Sequence, residues 1–218
     1  MARHRQRRDL LEEARPVIQL VGVNRSPFTR RVAITLRVYG IPYQQQPLSG
    51  FGNRAEVRGS NALGRIPALI LDDGEALVDS AAIIDHLDEM HGRDRALIPS
   101  AGADRRTVLR IAALMMGACD KGLAAAYERN HHPPEKVHQP WIDDCLAQMR
   151  HALSAVEAMP AASPNYLLFG RLTHADIACF VAERLARGLQ IDTESELPRL
   201  RALTRKLEDE PAFRSTEP

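Results

Sequence analysis

Cysteine is scarce in this 218-residue chain: Cys119, Cys145 and Cys179 are the only three, and none precedes position 119. They make no CxxC pair and no metal-ligand spacing. A set so sparse and odd in number suggests a reducing compartment. All three lie in helical patterns, where they read as small buried apolar residues. Charge of one sign is also lacking. The formal net charge is +1, which gives no overall field to hold nucleic acid or an anionic membrane. No apolar run approaches the ~20 residues of a membrane span. The opening "MARHRQRR" is basic, but "DLLEEAR" cancels most of that charge, so neither a transit peptide nor a secretory signal is read there. No internal repeat or low-complexity tract occurs. With 44% hydrophobic and 26% charged residues, the chain has the composition of an ordinary globular protein of one large or two small domains.

What is present changes character near residue 92. Before it, strand and helix signals alternate. "VIQLVGV" (17–23) is a buried-strand candidate. Phe28, Val32, Leu36 and Tyr39 then recur at helical spacing until Gly40 stops the helix. "IPYQQQPL" reads as a short polar edge strand flanked by prolines. "ALILDDGEALVD" predicts a hairpin, Ala68–Leu71 and Glu75–Val78 about an Asp-Asp-Gly turn. Ser80 is expected to cap the next helix, with Ile83, Ile84, Leu87 and Met90 on one face and Gly92 at its end. This order predicts a mixed four-stranded sheet whose first strand–helix–strand unit is parallel.

"GRDRALIPSAGADRR" reads as a linker, and everything beyond it as helix. Val108, Ala112, Met115 and Cys119 make one stripe. Ile142, Leu146, Met149, Leu153 and Val156 make another. A third helix follows Thr173, whose three-residue spacing to Asp176 suits a capping box, with Leu172 and Ile177 as a staple. A fourth carries Leu200, Leu203 and Leu207 until Pro211. The predicted boundaries are an extension over 1–16, a sheet domain over 17–91, a linker over 92–104 and an all-helical domain over 105–218.

Several residues could carry chemistry. Ser26 followed by Pro27 is a strong helix start. The same place puts a hydroxyl beside unpaired N–H groups and the positive end of the helix dipole, which favours an anion. Capping alone and anion binding both stay open. The layout of "NRSPFTRRVAITL" is that of a thiol-disulfide turn with Ser26 and Thr29 where the thiols would stand. Ile66-Pro67 precedes a strand, and the ordinary preference of X-Pro bonds favours a trans link there. Asp79 and Ser80, at a helix start, could cap or could receive the ammonium and carboxylate of an amino-acid end. The histidines of "RNHHPPEKVH" read as a solvated loop, with no metal expected.

"SPFTRRV", "NALGRIPAL", "DSAAIIDHL" and "LTHADIA", in that order and at those intervals, together resemble the glutathione transferase family. The closing "LPRLRALTRKLEDEPAF" resembles its bacterial members. The likeness runs from about Val17 onward. It implies an α+β, thioredoxin-like N-terminal domain joined to an all-α domain. It also implies a cis bond before Pro67, against the ordinary preference, exposing the Ile66 backbone to the cysteinyl part of glutathione. Arg65, Ile66, Pro67, Asp79 and Ser80 would form the glutathione site, with Asp79 where the family commonly has Glu. Ser26 falls on the thiol-activating position of the serine-type members. No tyrosine precedes Tyr39, and the polar neighbour Asn24 could share the role. The implied protein is a cytoplasmic homodimeric transferase with a detoxification role. Glutathione is its co-substrate and a small electrophile its acceptor, with no metal and no nucleic acid or membrane partner. Met115, Met116 and Cys119 are candidates for an acceptor pocket between the domains. The rival expectation is a non-catalytic glutathione-binding or interaction module on the same fold.

Overall fold

The computed structural model describes residues 18–160, 163 and 165–218, so the 1–16 extension and Val17 lie outside the described residues. Two compact units divide the chain, the first ending at Ile84 and the second running from Asp85 to Pro218.

The first unit is built on β1 (Gln19–Val21), α1 (Pro27–Tyr39), β2 (Gln44–Gln46), α2 (Arg54–Val57), β3 (Ala68–Ile70) and β4 (Ala76–Leu77). α3 (Ser80–His91) begins in it and runs past the division. The four strands form one mixed sheet in the order β2-β1-β3-β4. β1 and β2 are parallel, with Leu20 opposite Gln45, while β3 runs antiparallel to both β1 and β4. Polar "QQQ" is therefore an edge strand, as its flanking prolines predict. Val21, Val57 and Ala68 form a buried cluster, with Leu48, Ile66 and Ile70 packed on it.

α1 keeps both of its predicted ends. Pro27 stands in the first turn, where its missing N–H would have no intrahelical acceptor. Gly40 takes the left-handed conformation (φ 66°) and its N–H closes on Arg37 and Leu36. Its burial is broader than one stripe: Thr29 to Leu36 are buried without a break, including Arg30 and Arg31. The hairpin pairs Leu69 with Leu77 and Ile70 with Ala76 across a turn closed by Leu71 N–H to Glu75 O, 2.8 Å. Its strands are shorter than predicted, and Val78 is exposed.

Two details of α3 correct the sequence reading. The cap is Asp79 rather than Ser80: Asp79 Oδ1 accepts the Ala81 N–H at 2.9 Å, and its carbonyl accepts the Ile83 N–H. The side chain one residue earlier reaches the orphan donor, which places Ser80 inside the helix. Met90 is half exposed, whereas Ile83, Ile84 and Leu87 are buried, so the apolar face ends one turn early.

The second unit contains α4 (Gly102–His131), α5 (Gln139–Glu157), α6 (His174–Gly188), α7 (Thr193–Glu196), α8 (Pro198–Glu208) and α9 (Pro211–Arg214). α4 packs mainly on α5 and α6. The approach is close at Gly122, where a β-carbon would stand 2.8 Å from Met149 Sδ and 2.9 Å from Leu189 Cδ1. Phe180 and Phe213 meet edge to face, centroids 4.8 Å apart. Burying each ring contributes about 1.5–3 kcal/mol. Ala96, Leu97 and Ile98, read as linker, are buried; Leu97 O accepts the His174 N–H, and Ile98 N–H donates to Asp88. Pro211 ends α8 by opening α9 in its first turn. Arg129, Asn130 and His131 belong to the end of α4, so that part of the histidine stretch is helical rather than loop, and His132 follows as the extended C-cap.

The predicted capping box of α6 is complete. Asp176 Oδ2 accepts the Thr173 N–H (2.8 Å) and hydroxyl (2.7 Å), and Oδ1 accepts the Leu167 N–H (2.7 Å). Asp176 is fully buried, and burial raises its pKa despite these three donors.

Candidate active site

The turn after β1 is set by Ser26 N–H to Val23 O, 3.0 Å, with Asn24 and Arg25 at its centre. Ser26 then caps α1: its backbone is extended (φ −75°, ψ 123°) and Oγ accepts the Thr29 N–H at 3.3 Å. Since Oγ is the acceptor in that bond, the hydroxyl proton is left to donate. Among the described residues it takes no partner.

Thr29 has a different fate. Its side chain is fully buried against Gly22, where an added β-carbon would lie 2.5 Å from Thr29 Oγ1 and 3.1 Å from Ile66 Cβ. Gly22 also has φ +142°, so the crossing needs a residue without a side chain. The same three-way contact brings the Ser26 helix to the Ile66-Pro67 step. That peptide is cis, as the resemblance implies and contrary to the ordinary X-Pro preference.

The segment leading to it is held by Asn61, a buried residue the sequence reading missed. Asn61 Nδ2 donates to Arg65 O at 2.7 Å, and Oδ1 accepts the Leu63 N–H at 3.1 Å. Arg65 itself is exposed. Ile66 lies outside the β3 ladder, and its N–H and C=O make no turn or loop hydrogen bond among the described residues. A short extended ligand could pair there.

At the start of α3, Ser80 is buried. Its Oγ accepts from Arg31 Nη2 at 2.7 Å and donates to Asp79 Oδ1 at 3.3 Å. Asp79 is exposed, and its Oδ2 takes no partner among the described residues. Arg31 is the second residue the sequence did not mark. It stands on α1 beside Val32 and reaches a hydroxyl 49 positions away. A third is Gln45, whose Nε2 donates to Gly22 O and to Asn24 Oδ1, both at 2.8 Å. No signal in "QQQ" distinguishes the middle glutamine from its neighbours, except that period-two alternation turns it to the opposite face.

These contacts join Ser26, Asn24, Ile66 and Pro67, and a separate one ties α1 to Ser80 and Asp79. In the second unit Met115, Met116 and Cys119 are buried on α4, with Cys119 wholly inaccessible. A cavity of about 360 Å³ in that unit is lined by Val156, Tyr166, Leu200, Leu203 and Lys206 among others, and not by those three. Cys145 and Cys179 are also buried thiols, and burial raises both pKa values, that of Cys179 the more. Among the described residues no group of three or more His, Cys, Asp or Glu is placed to hold a metal, and no helix is long and apolar enough to cross a membrane.

Both halves of the chain resemble known proteins. The family model for the glutathione S-transferase N-terminal domain matches residues 20–95, and that for the C-terminal domain matches residues 139–205. The maleylacetoacetate isomerase of Pseudomonas aeruginosa is 31% identical, covering 92% of this chain and 96% of its own. A glutathione transferase family member from Pseudomonas fluorescens Pf-5, solved with bound glutathione, is 30% identical over 92% of this chain and 98% of its own, with a TM-score of 0.83. A glutathione S-transferase from Methylobacillus flagellatus, also solved with glutathione, is 26% identical, covers 92% and 99% of the two chains, and has a TM-score of 0.84. By its two matched domains and these full-length likenesses, the chain belongs to the glutathione S-transferase family.

Proposed function

We propose that this protein binds glutathione, stabilises its thiolate through Ser26, and directs that sulfur at a small electrophile. The observation that carries the reading is the polarity of Ser26: its oxygen accepts the Thr29 N–H, so its own proton is the one it can give. A free thiol starts near pKa ~8.5. Lowering it by about two units requires roughly 2.7 kcal/mol of preference for the anion. One hydroxyl donor to a charged sulfur contributes about 1.5–3 kcal/mol. The positive end of the α1 dipole adds roughly 0.3–1 kcal/mol. The two together reach the required scale without a protein nucleophile. The Ile66 backbone would pair with the cysteinyl part, beside Arg65 and Pro67. Asp79 Oδ2 would take the γ-glutamyl ammonium, and the backbone N–H of Ser80, in the first turn of α3, would hold its carboxylate.

The 31% identity to a maleylacetoacetate isomerase favours isomerisation as one form of the electrophile step. The thiolate adds to a conjugated double bond, the resulting single bond turns, and the thiolate leaves as the double bond reforms. Glutathione is then regenerated.

The test is retention on immobilised glutathione followed by turnover of a chloro-nitroaromatic acceptor and of conjugated cis-alkenes. Turnover supports the reading. Retention with no turnover on a broad electrophile panel supports the rival, a glutathione-binding module without catalysis. The same reading includes a homodimer, and a sedimentation mass near the monomer's 24.2 kDa would remove that part of it.

A further inference from the structure

Resting on the thiolate reading above, we infer that Gln45 is a positioning residue: it fixes the Asn24 side-chain amide so that Asn24 offers N–H donors, beside the Ser26 hydroxyl, to the substrate sulfur.

The polarity of this small network is closed by a backbone group. Gly22 O can only accept, so the Gln45 atom 2.8 Å from it must be the amide nitrogen. That nitrogen carries a second proton, which points to an acceptor. The Asn24 atom 2.8 Å away is therefore the oxygen. With Oδ1 committed to Gln45, what Asn24 has left is its NH2 group, which has no hydrogen bond among the described residues. Asn24 stands two residues before Ser26 in the turn closed by Ser26 N–H and Val23 O. Turned by half a rotation, the same amide would present oxygen to a thiolate and repel it. Gln45 forbids that turn, because its own donors would then face donors.

The position of Gln45 makes it suited to this. It is the central residue of β2, paired with Leu20 of β1 by a parallel ladder, so its backbone cannot drift from the β1 end. Its neighbour Gln46 is also anchored, since its carbonyl accepts the Gly22 N–H at 2.8 Å. Gln45 has no place against the sulfur itself and acts through Asn24.

The experiment titrates the thiol of protein-bound glutathione by its ultraviolet thiolate absorbance. It uses the full chain as wild type, Gln45→Glu, Gln45→Met, Asn24→Ala and the double variant Asn24→Ala with Gln45→Glu. Glutamate accepts only, so it turns the Asn24 amide over. The thiol pKa should rise by about one unit, roughly tenfold less thiolate at a fixed pH below it. Turnover should fall in kcat more than KM rises. Gln45→Met frees the amide without turning it, so its shift should be in the same direction and smaller. In the Asn24→Ala background Gln45→Glu should add little, since the amide it acts through is gone. An undiminished Gln45→Glu effect in that background would mean through-space charge or general distortion, and would overturn the inference. So would an Asn24→Ala variant with the wild-type titration. If Gln45→Glu fails to fold, Gln45→Met decides: a wild-type titration refutes the role. A wild-type thiolate that Ser26→Ala removes but both Gln45 variants leave intact sinks this inference alone. Absence of any thiolate in the wild type sinks the function reading and this one with it.

Discussion

Replacing Ser26 with alanine separates the capping role it holds from the thiolate role proposed for it. The first is capping. The Thr29 N–H to Oγ distance of 3.3 Å is long for such a bond, so the loss belongs at the low end of the ~0.5–2 kcal/mol range for N-cap substitutions. In a chain of this length that is about 1–2 °C in Tm. The second is donation to the sulfur, where about 1.5–3 kcal/mol is at stake. At 1.36 kcal/mol per unit, the bound thiol pKa should rise by roughly one to two units, and thiolate should fall about ten- to a hundredfold at a pH well below both values. Glutathione affinity should fall much less, because Ile66, Asp79 and Ser80 are untouched. The assay is ultraviolet titration of the bound thiol beside thermal unfolding. Ser26→Asp provides the control. Aspartate caps as well as serine and favours the dipole, so stability should hold. It donates no proton at neutral pH and brings a negative charge, so the thiol pKa should rise further than in Ser26→Ala. If thiolate loss followed Tm across the two variants, or if Ser26→Ala titrated as wild type, Ser26 would be a cap and nothing more.

Two other predictions concern the second unit. Asp176→Ala leaves the Leu167 N–H, the Thr173 N–H and the Thr173 hydroxyl without their buried acceptor. At about 1–3 kcal/mol per unmet buried group, a loss of at least ~3 kcal/mol is expected in urea unfolding, and a loss below ~1 kcal/mol would mean the box is replaceable by water. Glu208 accepts from Arg184 (2.8 Å) and Arg187 (2.7 Å); burial acts to raise its pKa, but these bonds and the Arg201 charge outweigh it and lower it. A lowered carboxylate pKa means the folded state binds fewer protons there than the unfolded state. Its stabilisation is therefore present above the unfolded value of 4.5 and disappears as pH falls through the folded one. Glu208→Gln should cost up to about 1 kcal/mol at pH 7, the scale of solvent-screened pairs. The gap should close toward pH 3, as read from denaturant midpoints. A gap that persists in acid would assign the effect to packing.

Features fixed by local rules were legible in the sequence. Pro27 and Gly40 bound α1, the Asp-Asp-Gly turn makes the hairpin, and Thr173 with Asp176 opens α6. In each the responsible groups lie within a few residues of one another, so spacing reports them. Arg31, Gln45 and Asn61 were not legible. Arg31 meets Ser80 across 49 positions and Gln45 meets Asn24 across 21, and a polar contact of that range leaves no period in the sequence. Asn61 binds locally, to Arg65 O and Leu63 N–H, but an asparagine in a turn reads the same whether it faces solvent or is buried. The exchange of roles between Asp79 and Ser80 has the same origin. Both are good caps, and only the buried Arg31 decides that Ser80 turns inward and Asp79 takes the cap.

On the proposed reading, capping and ligand binding coexist at Ser26 and Asp79 because each task uses a different part of the side chain. Ser26 commits a lone pair to Thr29 and retains its proton; Asp79 commits Oδ1 to Ala81 and Ser80 and retains Oδ2. The fold thus holds each group rigid through one half and leaves the other half for a ligand to meet. Side-chain entropy is already lost on folding, so less would remain to be lost on binding glutathione. Asn24 obeys the same rule, with its oxygen tied to Gln45 and its donors left over. The result is a site whose polarity is set before binding: protons where a sulfur anion would lie, and a carboxylate oxygen where an ammonium would. Such preorganisation stabilises a charge without reorienting dipoles at the moment the charge forms. It also explains why each of these residues, taken alone in the sequence, looks like nothing more than a helix or turn signal.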